Sequence, residues 1–279
     1  MTHMYYSQRT GINPNLNGLS LEDTMDLFLS VFAELEEDGY FHEAFGFSCV
    51  DAGHVRGYIR DVELEMLLTI RKRGLWPIVK MTSRYSEDDF FDVLEFLYQH
   101  VSKPIEGTFH DWNDCGMHWE TFNQSEGRAE FRTKTNAVLA QYVSAFELSP
   151  KGEVLSKPEA GFEVIFDADI PSKDTNVVSR INAAIIHFRR HGSTLDNRRQ
   201  AVRDLADVLE YLRPKVKALL TSADDSDLFN IANNFGVRHH NDKQKTTYDA
   251  ALWLSWMFYF YLATIHVVLR KIEHDGTTK

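Results

Sequence analysis

Apolar residues recur along most of this chain at the spacing of a helix. In "SLEDTMDLFLSVFAELEEDGYFHEAF", Leu27, Val31, Phe32 and Leu35 fall on one stripe. Ser20 stands where an N-cap belongs, Asp23 follows three residues on, and Gly39 offers a stop. "DVELEMLLTIRKRGLWPI" repeats the pattern as far as Gly74 and Pro77. "SEDDFFDVLEFLYQHVSKPI" predicts a third helix, with Ser86 as cap, acids in its first turn and Pro104 beyond its end. A fourth covers Gly127 to Tyr142.

The rhythm changes at "FELSPKGEVLSK" (Phe146 to Lys157). Two short apolar segments flank Ser149-Pro150-Lys151-Gly152, where proline sets φ and glycine supplies a positive one, so this stretch predicts a β-hairpin. "FEVIFD" (Phe162 to Asp167) reads as a further strand. Near Pro171 to Asp174 irregular sequence gives way to helix, which divides the chain into residues 1–170 and 171–279. Four helical segments follow. "NVVSRINAAIIHFRR" comes first, then "NRRQAVRDLADVLEYLR", with Val202, Leu205, Leu209 and Leu212 on one stripe before Pro214. "DSDLFNIANNF" is the third, closed by Gly236. Asp249 caps the fourth, "AALWLSWMFYFYLATIHVVLRKI". Short connections between four helices imply a bundle. The expected fold class is mainly α: a helical N-terminal domain with a small β-hairpin, then a helical domain.

The last helix is apolar all round, and Ala250 to Leu269 carry no formal charge. Its length would span a bilayer, which leaves a tail anchor as one reading. Ser255, Thr264 and His266 suit a protein interior instead, so the pattern favours a bundle core with a two-fold seam at Trp253, Trp256 or Phe258. A homodimer through the C-terminal helices is expected, and a membrane partner is not.

Composition adds a compartment and an asymmetry. A hydrophobic content of 43% and a charged content of 25% are those of a globular protein. Two cysteines, Cys49 and Cys115, suit a reducing compartment. The polar opening "MTHMYYSQRTGINPNLNG" lacks a signal-peptide pattern, so the expected location is cytoplasmic. Net charge is −11, yet Arg180 to Lys279 hold fifteen Lys/Arg against eleven Asp/Glu, a local +4. Only the C-terminal part is suited to meet a polyanion.

Candidate chemistry concentrates in "FGVRHHNDKQKTTYD" (Phe235 to Asp249). Arg238 precedes His239, His240 and Asn241, between a helix closed at Gly236 and one opened at Asp249. A guanidinium fork donates paired hydrogen bonds to phosphate, and imidazole exchanges protons near neutral pH. Together they suit metal-independent RNA cleavage, in which a 2′-hydroxyl attacks the adjacent phosphate. The same run also reads as a polar interhelical loop that caps carbonyls. Lys243 and Lys245, with Arg199 and Arg203 four apart on one helix face, would extend an RNA track, or form a solvated basic face with Asp204 and Asp207. A second cluster is "FHDWNDCGMHW", with His110, Asp111, Asp114, Cys115 and His118. It lacks the Cys-x₂-Cys spacing of a structural zinc site, and with Trp112 and Trp119 interleaved it predicts a folded recognition loop and no metal.

The segment "LFNIANNFGVRHHNDKQKTTYDAALWLSWMFYFYLATIHVVLR" resembles the C-terminal helices of a HEPN domain from bacterial antiviral (abortive-infection) proteins. "LFLSVFAELEEDGYFHEAFGFSCVDAG", "RKRGLWPI", "DDFFDVLEFLYQHVSKPI" and "FHDWNDCGMHWETF" resemble an AbiJ-type N-terminal domain. The resemblance implies a dimerising all-α bundle that cleaves RNA without a cofactor, controlled by an N-terminal sensor answering a phage-derived or neighbouring-gene trigger. The HEPN signature places a histidine four to six residues after its arginine and polar pair. Here that window holds Lys243, Gln244 and Lys245. His239 or His240 is then left to transfer the proton, with Asn241 orienting it, or the domain is a degenerate adaptor that binds RNA, a nucleotide or a protein without cutting.

Overall fold

The computed structural model describes residues 3–159, 161–216 and 249–277, without the side chains of Asp114, Asp167, Val216 and 275–277. The chain forms two compact units, Met1–Leu155 and Ser156–Lys279. Among the described residues it is mainly helical, with three two-stranded hairpins.

The first unit contains helices α1 (Tyr6–Thr10), α2 (Leu21–Glu37), α3 (His42–Phe45), α4 (Val62–Thr69), α5 (Ile78–Met81), α6 (Glu87–His100) and α7 (Gln124–Leu139). The predicted caps hold: Ser20 Oγ accepts from the Asp23 backbone N–H at 3.1 Å, and Ser86 forms a reciprocal capping box with Asp89. The predicted stripe of α2 is right except at Leu27: Phe32 and Leu35 are buried and Val31 packs half-buried on the core, but Leu27 is exposed. Met25 and Phe28 complete the inner face, because Phe28 meets Phe90 of α6 and Phe131 of α7, at 5.6 and 6.1 Å between centroids. The second predicted helix stops early, at Thr69, where Arg71 takes a left-handed φ of 65°. The Glu63 carboxylate then accepts from the Gly74 and Trp76 backbone N–H groups, folding the following loop back onto α4.

Strands β1 (Phe47–Cys49) and β2 (Gly53–Val55) pair antiparallel, as do β3 (Lys103–His110) and β4 (Gly116–Asn123). Neither hairpin was expected. α7 starts where β4 ends, and a Cβ at Gly127 would lie 2.5 Å from the Lys103 backbone nitrogen, so only glycine lets α7 come this close to β3. The predicted hairpin at 146–157 is present as β5 (Phe146–Leu148) and β6 (Val154–Ser156), and Gly152 has its positive φ of 88°. Asn136 holds it to α7 like a strand neighbour: Oδ1 accepts from Leu148 N–H at 2.7 Å and Nδ2 donates to Leu148 C=O at 3.0 Å.

The second unit begins at Ser156, earlier than the expected boundary at 170. The reason is that "FEVIFD" is not a strand. Glu163–Asp167 forms α8, and Phe162, Ile165 and Phe166, at helical spacing, pack on the second core. That core lies between α9 (Thr175–Arg189), α10 (Leu195–Val216) and α11 (Ala250–Thr277). The predicted stripe of α10 is buried throughout: Val202, Leu205, Leu209 and Leu212. Pro214 does not end the helix but sits inside its last turn. α11 is long and apolar enough to cross a membrane, yet 61% of its most apolar window is buried. It serves as the core helix of this unit, with Phe258 stacked on Phe188 at 4.0 Å. Phe258 is fully buried and cannot lie at a dimer seam, whereas Trp253 and Trp256 keep exposed surface.

Candidate functional site

Arg238, His239, His240, Asn241, Lys243 and Lys245 lie outside the described residues, as does the predicted helix "DSDLFNIANNF". The elements that flank them are defined. α10 runs to Val216, and Asp249 caps α11 through Oδ1, which accepts from the Ala251 and Leu252 N–H groups at 3.1 and 3.2 Å. Arg199 and Arg203 lie on α10, both half-buried, and Arg199 is held by Asp196 at 2.6 Å. Other arginines near this junction serve the fold. Arg189 is buried, with its guanidinium 4.6 Å from the Phe166 ring centroid, and Arg198 lies 5.3 Å from that of Phe188.

The local cluster at 110–118 takes a different form from the one its spacing suggested. His110 ends β3 and pairs with Gly116, while Thr108 pairs with His118. Residues facing each other across a ladder share a face, as do residues two apart on one strand, so His110 and His118 project on the same side. Their ring centroids are 4.9 Å apart. Between them the chain reverses through Asn113 (φ 51°) and Gly116 (φ 92°), both left-handed, and this brings Cys115 Sγ to 3.3 Å from His118 Nε2.

The local spacing lacked a fourth ligand, and Cys49 supplies it from 61 residues earlier in the chain. Cys49 ends β1, and its Sγ lies 3.9 Å from His110 Nδ1. The donor atoms of Cys49, His110, Cys115 and His118 all lie within 4.8 Å of one another. Asp111 is not among them, and the Asp114 side chain lies outside the described residues. Among the described residues this is the one group of three or more such side chains with converging donors.

The surroundings favour charge on the sulfur and fix the imidazoles. The backbone N–H of Ala52, 3.4 Å from Cys49 Sγ, and then that of Asp51, hold this thiol below its ordinary range. Asp51 also places a carboxylate oxygen 3.2 Å from His110 Nε2, on the side of the ring away from the cysteine. Phe47 packs against His118 at 4.8 Å and against His42 at 4.9 Å. Burial, then the nearby His118, lowers the His42 pKa.

No protein family, curated protein or solved structure matches this chain. The functional reading therefore rests on the chain's own residues and on the resemblance that they carry. The sequence held one sign of the full cluster: Cys49 lies in "CVDAG", whose Asp51 and Gly53 suit a tight turn over a sulfur. Nothing local said that this turn meets residue 110.

Proposed function

We propose that this protein is an antiviral (abortive-infection) endoribonuclease, with a HEPN-like C-terminal unit that cuts RNA and an AbiJ-type N-terminal unit that controls it. The observation that carries the reading is the run Arg238-His239-His240-Asn241 on the segment joining α10 to α11. Both helices belong to one core, so the segment is tethered at each end to a single packed bundle.

Arg238 holds the scissile phosphate through its planar fork and stabilises charge developing on the phosphate oxygens. His239 or His240 takes the proton from the attacking 2′-hydroxyl or returns one to the leaving oxygen, and Asn241 orients that ring. Lys243 and Lys245, with Arg199 and Arg203 on α10, follow the RNA backbone. The chemistry needs no cofactor. The chain acts as a homodimer in the cytoplasm, paired through the C-terminal helices, and answers a phage-derived or neighbouring-gene trigger.

A second reading has its own support. Lys243, Gln244 and Lys245 occupy the window where the HEPN signature places its spaced histidine, which favours a degenerate domain that binds without cutting. Incubating the purified full chain with RNA in the absence of added divalent cations separates the two. The nuclease reading predicts fragments; RNA that is bound and stays intact, with and without a trigger, supports the adaptor.

A further inference from the structure

We propose that Cys49, His110, Cys115 and His118 bind one structural zinc ion, which fastens the β1–β2 hairpin to the tip of the β3–β4 hairpin. The site belongs to the first unit and is independent of the RNA chemistry assigned to the second. Four observations carry it.

The first is convergence. The four donors come from two hairpins distant in sequence and lie within 4.8 Å of one another. In a tetrahedral zinc site with two sulfurs and two nitrogens, donors stand about 3.3–3.8 Å apart, so a closure of roughly 1 Å completes the shell. Two of the separations, 3.3 and 3.9 Å, are already close to this range. A Cys49–Cys115 disulfide would use the two sulfurs and leave the two imidazoles without a reason to meet there.

The second is orientation. His110 turns Nδ1 toward Cys49 and Nε2 toward the Asp51 carboxylate at 3.2 Å. A metal-ligating imidazole characteristically donates its other N–H to a carboxylate, which fixes the tautomer and raises the ligand's basicity. The third is the Ala52 backbone N–H, 3.4 Å from Cys49 Sγ, a hydrogen bond that holds this sulfur at the tip of the β1–β2 hairpin where the other donors converge.

The fourth is the sparse apolar packing at this corner. Val50, Phe109 and Trp112 are exposed by 51%, 62% and 65%, and Cys49, though buried, lies outside the connected hydrophobic core of the unit. A metal cross-link adds to the ring contacts that Phe47 makes here with His42 and His118. Two thiolates and two imidazoles in a tetrahedral set select zinc, and four protein ligands leave no open position for a catalytic water. Binding forms two Zn–S and two Zn–N bonds and releases the two thiol protons to solvent.

The test is the metal content of the untagged full chain, purified under reducing conditions and reconstituted with zinc sulfate. About one zinc per chain is expected. Replacing it with cobalt(II) should give the visible bands of a tetrahedral site with thiolate charge transfer. Cys49→Ser and Cys115→Ser should lose the metal. Because these variants can also unfold, His118→Cys provides a variant that keeps four ligands. It should retain the metal and strengthen the thiolate-to-cobalt band, while Asp111→Asn should match the parent. Parent protein that stays metal-free after reconstitution, a Cys49–Cys115 disulfide persisting under reduction, or zinc retained in full by both serine variants would each overturn the proposal.

Discussion

His266 lies within α11 with only 7% of its surface exposed, and neither ring nitrogen meets a hydrogen-bond partner among the described residues. Burial, and then the charge of Arg270, lowers its pKa below the ordinary histidine value. The folded chain therefore takes up this proton less readily than the unfolded chain. As pH falls below about 6.5 the unfolded state is protonated first, and stability is lost until the lowered folded value is reached. His100 works in the same direction: burial and Arg128 lower its pKa, while Tyr58 Oη lies 3.0 Å from its Nδ1. His266→Leu removes two buried polar atoms that have no partner among the described residues, so it should leave stability at neutral pH unchanged or higher. It should also flatten the decline on acidification. Urea unfolding of parent and variant at about pH 7.5 and 5.5 measures both effects. A loss of more than about 1 kcal/mol at neutral pH would mean that the ring has a partner of its own.

Among the elements, those set by local chemistry were legible in the sequence. Ser20, Ser86 and Asp249 cap the helices they were expected to cap, and Pro150 with Gly152 marks the turn of the β5–β6 hairpin. What depended on distant partners was not. In α2, Leu27 was placed inward and Phe28 was missed because Phe90 and Phe131, which draw Phe28 in, come from other helices. "FEVIFD" alternates enough to read as a strand, yet Phe162 stacks on Tyr259 at 4.1 Å and Phe166 packs near Phe258 at 6.1 Å, both about a hundred residues away. The Cys/His cluster was legible in three of its four members, and Cys49 was hidden by the same distance in sequence. The segment carrying Arg238 was singled out from its residue types together with the resemblance to a HEPN domain, and it lies outside the described residues. Asn136 supplies a test at this scale. Its two hydrogen bonds to Leu148 fasten the β5–β6 hairpin to α7, and Asn136→Ala leaves the Leu148 backbone short of partners. A loss of about 1–3 kcal/mol in denaturant unfolding is expected, with faster amide exchange confined to residues 146–156. An unchanged exchange pattern would assign the fastening to Arg132 Nε, which also donates to Leu148 C=O at 3.1 Å.

At the scale of the whole molecule, the proposals are that zinc fastens a regulatory first unit and that the helical second unit works as a pair. Phe258 is committed to the core, so Phe258→Ala should cost about 3–5 kcal/mol in the second unit's unfolding transition without weakening pairing directly. Trp256, which is 41% exposed beside Phe260, is the better probe of the seam. Light scattering of the parent at micromolar concentration should give twice the 32.3 kDa chain mass, and Trp256→Glu should give the single chain. A monomeric parent would remove the paired arrangement from the mechanism. Cleavage and binding measured together in Arg238→Ala, His239→Ala and His240→Ala test the proposal that the segment carrying Arg238 cuts RNA. Arg238→Ala is expected to lose both. One histidine variant should lose rate by roughly 10²–10⁴-fold while still binding RNA, and the other should behave like the parent. RNA binding and cleavage unchanged in all three variants would remove the segment carrying Arg238 from the active site.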